Sequence, residues 1–279
     1  MLTHCKQERL SVCTDEVFSW MMSNRLQLNP LPRLRCSGVL WSSARRQNQI
    51  PTGPVRVGDT SVQPVRTVRY LGVYIDADVT MSAHVTAVVK TCFAALRQIR
   101  SVRRSMTRTT LLTQVHALVV TKVDYCSSVL SGIPGQLLQR LQSVFNARLV
   151  FSARKSGHIS PLLPELHWLK VQEIIQFRLC VVAYRCIIGT APSYLAETLH
   201  LTADVGSRRR LRSVLRPECS TSTLVIPSTR RTTLDDRAFP VTAARAWIAL
   251  PSSVRSAPSQ LQFRRDLKTA LFQSSYSSP

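Results

Sequence analysis

The chain has 279 residues, and 44% of them are hydrophobic. That proportion excludes wholesale disorder, and the length allows one large domain or two small ones around a real core. Lys and Arg number 37 against 15 Asp and Glu, a formal net charge of +22. Six of the basic residues are Lys and the other 31 are Arg. Arg presents a planar fork that matches phosphate oxygens and stacks on bases, whereas Lys is a point charge. Such an excess promotes association with polyanions, nucleic acid first and anionic membrane second. The plain alternative is that Arg follows from GC-rich coding DNA and carries no function.

No window offers 18 unbroken apolar residues, so no membrane-spanning helix and no membrane partner are expected. The opening MLTHCKQERLSVCTDE has no apolar h-region, so no secretory leader is expected. With only 9 Gly, collagen-like and low-complexity classes fail. The eight cysteines are Cys5, Cys13, Cys36, Cys92, Cys126, Cys180, Cys186 and Cys219. Several sit in apolar runs and none forms Cys-x-x-Cys, so buried free thiols in a reducing, intracellular compartment are expected rather than disulfides or zinc. Nuclear and cytoplasmic residence are not distinguished.

Residues 15–28 predict a short amphipathic helix with Val17, Trp20, Met21 and Leu28 on its apolar stripe. Asn29-Pro30 is expected to end it, because a residue before Pro avoids the helical region. Residues 31–50 are irregular and basic. Short strands are expected at 54–58, 61–66 and 68–75, with a turn at Gly58-Asp59. Pro64 makes the second an edge strand.

From Met81 to Arg104 apolar residues recur at Val85, Val88, Val89, Cys92, Phe93, Leu96 and Ile99, one buried helix face. If that helix holds, Arg97, Arg100, Arg104 and Arg108 share another face. Such a row of four suits a phosphodiester backbone, which Arg103 is also expected to contact. The bland reading is a solvated face, but no acid lies between Asp78 and Asp124. If the helix breaks near Met106, Thr107 can cap the next one, over about 108–130. Gly132-Ile133-Pro134-Gly135 is a breaker. Further helices are expected at 136–151 and at 171–188, the latter ending at Gly189, and a short one starts at Pro192. Residues 206–236 are rich in Ser, Thr and Arg, and Arg208, Arg209, Arg210, Arg212 and Arg216 lie close together without an acid. They read as an exposed basic loop or nucleic-acid arm. Helices resume at 238–249 and 258–272. The fold class is mainly α with a small β remnant.

No Gly-rich phosphate loop, HExxH, GxSxG or EF-hand pattern occurs. Two-metal chemistry needs clustered carboxylates. Asp15-Glu16 reads as a first-turn pair, Asp78 as a helix cap or first-turn acid, and Asp235-Asp236 as a helix N-terminal pair. His84 and His116 fall on helical patterns, where a lone His is more often packed or exposed than catalytic. No catalytic residue, metal ligand or cofactor site is expected in the chain.

The order of several segments carries a resemblance. They are SWMMSNRLQLNP at 19–30, SSARRQNQIPTGPVRVGD at 42–59, VRYLGVYIDADVTMSAHV at 68–85, LRQIRSVRRSM at 96–106 and VDYCSSVLSGIP at 123–134. PLLPELHWLKVQEIIQFRLC at 161–180, GTAPSYL at 189–195, RAFPVTAARAWIALPSSVR at 237–255 and FRRDLKTALF at 263–272 follow. Together they resemble the C-terminal part of reverse transcriptases of LINE-type, non-LTR retrotransposons, over roughly residues 8–273. The resemblance implies a truncated palm remnant with short strands at 1–78, a helical thumb-like domain at 79–204, and a basic loop with C-terminal helices at 205–279. It implies that the Tyr/Ala-x-Asp-Asp hairpin holding two Mg²⁺ ions lies upstream of Met1. Mg²⁺ is then expected only with that missing polymerase portion, itself a possible partner, and the chain alone is expected to be inactive. What remains is non-specific binding of RNA or an RNA–DNA hybrid through Arg97, Arg100, Arg103, Arg104, Arg108, Arg208, Arg209, Arg210 and Arg212. The other reading is a decayed retroelement product with no activity.

One departure is specific. The family reads Leu-Asn-x-x-Lys-Thr-Glu before an apolar strand, where this chain has LPRLRCSGVLW after Asn29-Pro30. The codons CCA AGA CTG AGG TGC TCT GGT would encode Pro32 to Gly38. Read two bases later they give Lys-Thr-Glu-Val-Leu-Trp, so with this choice of synonymous codons a local frame shift would account for the departure. Coding DNA with other synonyms would refute it.

Overall fold

A computed structural model describes residues 12–13, 15–17, 19–25, 37–38, 54–57, 60–152, 169–202, 223–229 and 235–276. It is mainly helical with small sheets, and it divides into two compact units, Met1–Thr86 and Ala87–Pro279.

In the first unit, helical residues run from 12 to 23 where described, and Asn24-Arg25 form a turn with Arg25 left-handed (φ 56°). The helix therefore ends earlier than the expected Asn29-Pro30, which lies outside the described residues. Its expected stripe is uncovered: Val17 is 53% and Trp20 61% exposed.

Strands β1 (Ser37–Gly38), β2 (Val55–Val57) and β3 (Thr60–Pro64) form a sheet in the order β1-β3-β2. Val57 pairs with Thr60, so β2 and β3 run antiparallel on either side of the expected turn, whose Gly58 and Asp59 lie outside the described residues. The edge assignment of the Pro64 strand is corrected: β3 is central. Its antiparallel register with β2 stops at Val62, and parallel β1 pairs only Gln63 and Pro64. Pro64 thus has a ladder on one side, which its missing N–H tolerates.

The single strand expected at 68–75 is two. β4 (Thr67–Tyr70) and β5 (Val73–Asp76) pair antiparallel, Tyr70 opposite Val73. Leu71 and Gly72 both have positive φ, 45° and 83°. Two such residues make the turn whose twist suits a two-residue hairpin, so the alternation of Val and Tyr folds back on itself.

The residues after β5 lead into α1 (Ser82–Val102). Val79 and Met81 are left-handed (φ 56° and 65°), an unfavourable state for a β-branched residue. Buried Asp76 holds this connection. Its Oδ2 accepts from the Ala83 N–H (3.2 Å), Ser82 Oγ (3.2 Å) and Thr80 Oγ1 (3.1 Å), while Oδ1 accepts from Thr67 Oγ1 (3.4 Å). Asp78 accepts only from Thr80. The helix cap is therefore Asp76, not the expected Asp78: the backbone turns at Ala77–Met81 and brings the strand residue back under the first turn of α1.

In the second unit, α1 ends at Val102, a 3₁₀ turn covers Arg103–Ser105, and α2 (Arg108–Val115) continues through a π segment (His116–Val120) into α3 (Thr121–Asp124). Leu111, Val115, Val119 and Val123 are all buried. Strict four-residue spacing drifts around an α-helix of 3.6 residues per turn, and the wider π turn reduces that drift. Left-handed Cys126 then breaks the run before a 3₁₀ turn at Ser127–Leu130. So Val129, expected on the apolar face, is 47% exposed, and Leu130 is buried instead.

α4 (Gly135–Ser152) packs against α2 and α5 (Val171–Ile187) through Leu141, Val144 and Phe145. Gln142 on α4 accepts from the Val171 N–H (3.0 Å), satisfying a free donor at the start of α5. Gly189 ends α5 as expected, with φ 70° and the paired bonds Thr190 N–H to Arg185 O and Gly189 N–H to Cys186 O. α6 (Ser193–Ala196) begins after Pro192, as expected.

The C-terminal helices α7 (Phe239–Ile248), α8 (Ser252–Arg255) and α9 (Gln260–Tyr276) close over α5. Ala183, Ala243 and Ala244 are fully buried, and their small side chains let α5 and α7 approach closely. Around them Tyr184 stacks on Phe263 (4.3 Å between ring centres), and Trp247 tilts against Phe263 (5.6 Å). Tyr184 donates its hydroxyl to Ala257 O (3.1 Å), satisfying its one polar atom.

Candidate nucleic-acid interface

The five sequence-predicted arginines occupy a helix corner, not one helix face. Arg97 and Arg100 lie on the last turns of α1, Arg103 and Arg104 on the 3₁₀ turn, and Arg108 opens α2. The continuous row is corrected: α1 stops at Val102 because Met106 is extended (φ −106°, ψ 142°) and Thr107 caps the next helix. The Thr107 hydroxyl accepts from the Thr110 N–H (3.2 Å), as the alternative reading expected. Ile99, Leu111 and Val115 form a small buried cluster that pins the end of α1 to α2.

Arg97, Arg100, Arg104 and Arg108 are exposed and Arg103 is half-buried. No residue of the 3₁₀ turn is buried. The first acid after Asp78 is Asp124, and Arg178 on α5 grips both its oxygens (Nε to Oδ1, 2.9 Å). Three of the arginines precede or open α2, whose first turn contains no acid. Arg108 alone sits in that first turn, the positive end of a helix dipole, whereas Arg100, Arg103 and Arg104 lie in or just after the last turn of α1, the negative end that favours a cation by about 0.3–1 kcal/mol. Five like charges with no interleaved acid suit the corner to an external polyanion.

Arg208, Arg209, Arg210, Arg212 and Arg216 lie outside the described residues. The chain on either side of them is described: Leu201 and Leu224 form an antiparallel bridge, with Thr202 N–H to Thr223 O (2.8 Å) and Val225 N–H to His200 O (2.9 Å). Buried Leu224 anchors the bridge in the core of α5, α7 and α9.

The acidic pairs serve structure. Asp76 and Asp78 bind hydroxyl and amide groups before α1, as described above. Asp235 and Asp236 fall on a 3₁₀ turn before α7, and Asp236 accepts from Thr229 Oγ1 (3.0 Å) and Arg245 (3.0 Å). Among the described residues no group of three or more His, Cys, Asp or Glu is placed to hold a metal ion. Also among them, no helix is long and apolar enough to cross a membrane.

His84 is buried and its Nδ1 accepts from the Tyr74 N–H (3.4 Å). Burial lowers its pKa, and the nearby Asp76 carboxylate opposes that only in part. His116 is exposed. Burial pushes the Cys92 thiol up to about 11 and Cys180 to about 12, and it raises Cys186. These free thiols are packing groups and poor nucleophiles. Cys5, Cys36 and Cys219 lie outside the described residues.

Sequence reasoning missed two partnerships, Arg178 with Asp124 and Arg245 with Asp236. The second was readable as nine-residue spacing along one turn and helix; the first spans 54 residues and left no local signal. No protein-family model matches the chain, and no curated protein or solved structure matches it.

Proposed function

We propose that the chain is the end of the palm, the thumb and the C-terminal region of a LINE-type reverse transcriptase, and that it binds the backbone of RNA or an RNA–DNA hybrid without reading sequence. The observation that carries the binding reading is the helix corner with Arg97, Arg100, Arg103, Arg104 and Arg108 and no acid between Asp78 and Asp124. Phosphate contacts of this kind give affinity and register but little specificity, and they weaken steeply with salt. The family assignment rests on the colinear segments alone. Polymerisation, with its Mg²⁺ ions, is proposed for a longer product, since the sequence contains no Tyr/Ala-x-Asp-Asp motif.

Changing Arg97, Arg100, Arg104 and Arg108 to Glu should abolish binding of an RNA–DNA hybrid at low salt, read by fluorescence anisotropy. Unchanged affinity refutes the interface. The departure at LPRLRCSGVLW favours a second reading, a decayed element without activity. That reading requires the unaltered chain to bind no hybrid even at low salt.

A further inference from the structure

We propose that Thr107 is a phosphorylation site for an arginine-directed Ser/Thr protein kinase, and that its phosphate occupies the helix corner in place of nucleic acid. The inference rests on the interface proposed above. Three hydroxyls lie among the arginines: Ser101, Ser105 and Thr107. Ser101 is inside α1 and donates to Gln98 O (2.8 Å); Ser105 is in the 3₁₀ turn and donates to Val102 O (2.8 Å). All three are exposed and all three hydroxyls are hydrogen-bonded, that of Thr107 to Thr110, but Thr107 differs in its backbone: it is extended (φ −70°, ψ 160°) and follows the extended Met106. Arg104 stands three residues before it and Arg103 four. Kinases of this class read such a charge pattern, an Arg three residues ahead of the acceptor, on an extended segment. Presenting 103–107 to a kinase cleft requires opening a 3₁₀ turn with no buried residue and releasing the Thr107 hydroxyl from Thr110.

The step uses ATP. The Thr107 hydroxyl oxygen attacks the γ-phosphorus, and a new O–P bond forms there. The bond from that phosphorus to the β–γ bridging oxygen breaks, ADP leaves, and the hydroxyl proton passes to the kinase's own carboxylate base. The product carries about −1.5 to −2 charge beside Arg103, Arg104 and Arg108 and at the favourable end of α2. Cancelling about two phosphate contacts at 0.1 M salt weakens a polyelectrolyte complex roughly 30-fold.

The test uses the full chain, such a kinase, ATP and a labelled RNA–DNA hybrid. Mass spectrometry maps the phosphate, and anisotropy at 0.1 M salt reads affinity before and after. Thr107 should be the main site and the affinity should fall about 30-fold. Thr107→Asn, a side chain that also caps helices well, should block both effects and keep binding. Incorporation at Ser101 or Ser105 instead, no incorporation, or unchanged affinity of the Thr107-phosphorylated chain overturns the proposal. If the unmodified chain binds no hybrid, the interface reading itself fails and the regulation falls with it, whatever the phosphate map shows.

Discussion

Replacing Asp76 by Ala should release the start of α1. The carboxylate is 6% exposed and accepts four hydrogen bonds, one from the Ala83 amide and three from the hydroxyls of Thr67, Thr80 and Ser82. Loss of a helix cap costs about 1 kcal/mol. The four donors are exposed or half-buried, so water takes over much of the lost acceptor and this adds at most about 1 kcal/mol. The left-handed Val79 and Met81, strained by about 1–3 kcal/mol each, lose the group that holds them and can relax, so part of the loss is recovered. The net expectation is about 1 kcal/mol of local stability. Hydrogen exchange at the amides of Ala83, His84 and Val85 reads that quantity directly, because it reports local opening without assuming one transition for both units. Asp78→Ala, losing only bonds from Thr80, should change the same amides by under about 0.5 kcal/mol. Equal effects of the two substitutions, or an Asp76→Ala loss below about 0.5 kcal/mol, would refute the assignment of Asp76 as the cap.

Three further outcomes are expected. His84 has a lowered pKa when folded, so the unfolded chain takes up its proton first; exchange protection around His84 should fall as pH drops from 7 towards 5, and His84→Asn, which keeps an acceptor for Tyr74, should flatten that fall. Gly132 has φ 67°, and an added Cβ would lie 2.8 Å from Arg237 Cγ; Gly132→Ala should lower the thermal midpoint through about 1–2 kcal/mol, and an unchanged midpoint contradicts the packing. Trp247 is 1% exposed and meets Tyr184 and Phe263; Trp247→Ala should cost about 3–5 kcal/mol in urea unfolding of the second unit.

Much of the helical architecture was legible because local signals agreed. Val171 to Gly189 combined a long apolar run, a charged exposed side and a terminal Gly, and the helix ended where that Gly placed it. Thr107 was readable as a cap, but the apolar period continued across it, so an unbroken helix to Arg108 was equally legible. Tertiary packing decided the matter through Ile99, Leu111 and Val115. The hairpin at Leu71-Gly72 was hidden because Leu rarely takes positive φ, and no Asn or Asp marked the turn. Asp76 was passed over for Asp78 because caps are read from adjacency, whereas this cap reaches Ala83 from seven residues away. Of the candidate interface, the arginines were visible and their arrangement around a corner was not. Arginine spacing assumes a continuous helix, and Met106 interrupts it.

The most direct test of nucleic-acid binding at the helix corner is the salt dependence of RNA–DNA hybrid affinity. It should be measured for the unaltered chain and for one with Arg97, Arg100, Arg103, Arg104 and Arg108 changed to Gln. Each phosphate contact contributes about 0.7–0.9 to the slope of log affinity against log salt, so the variant's slope should be shallower by about 4. Identical slopes for the two chains would contradict the account, because the arginine corner would then release no counterions on binding.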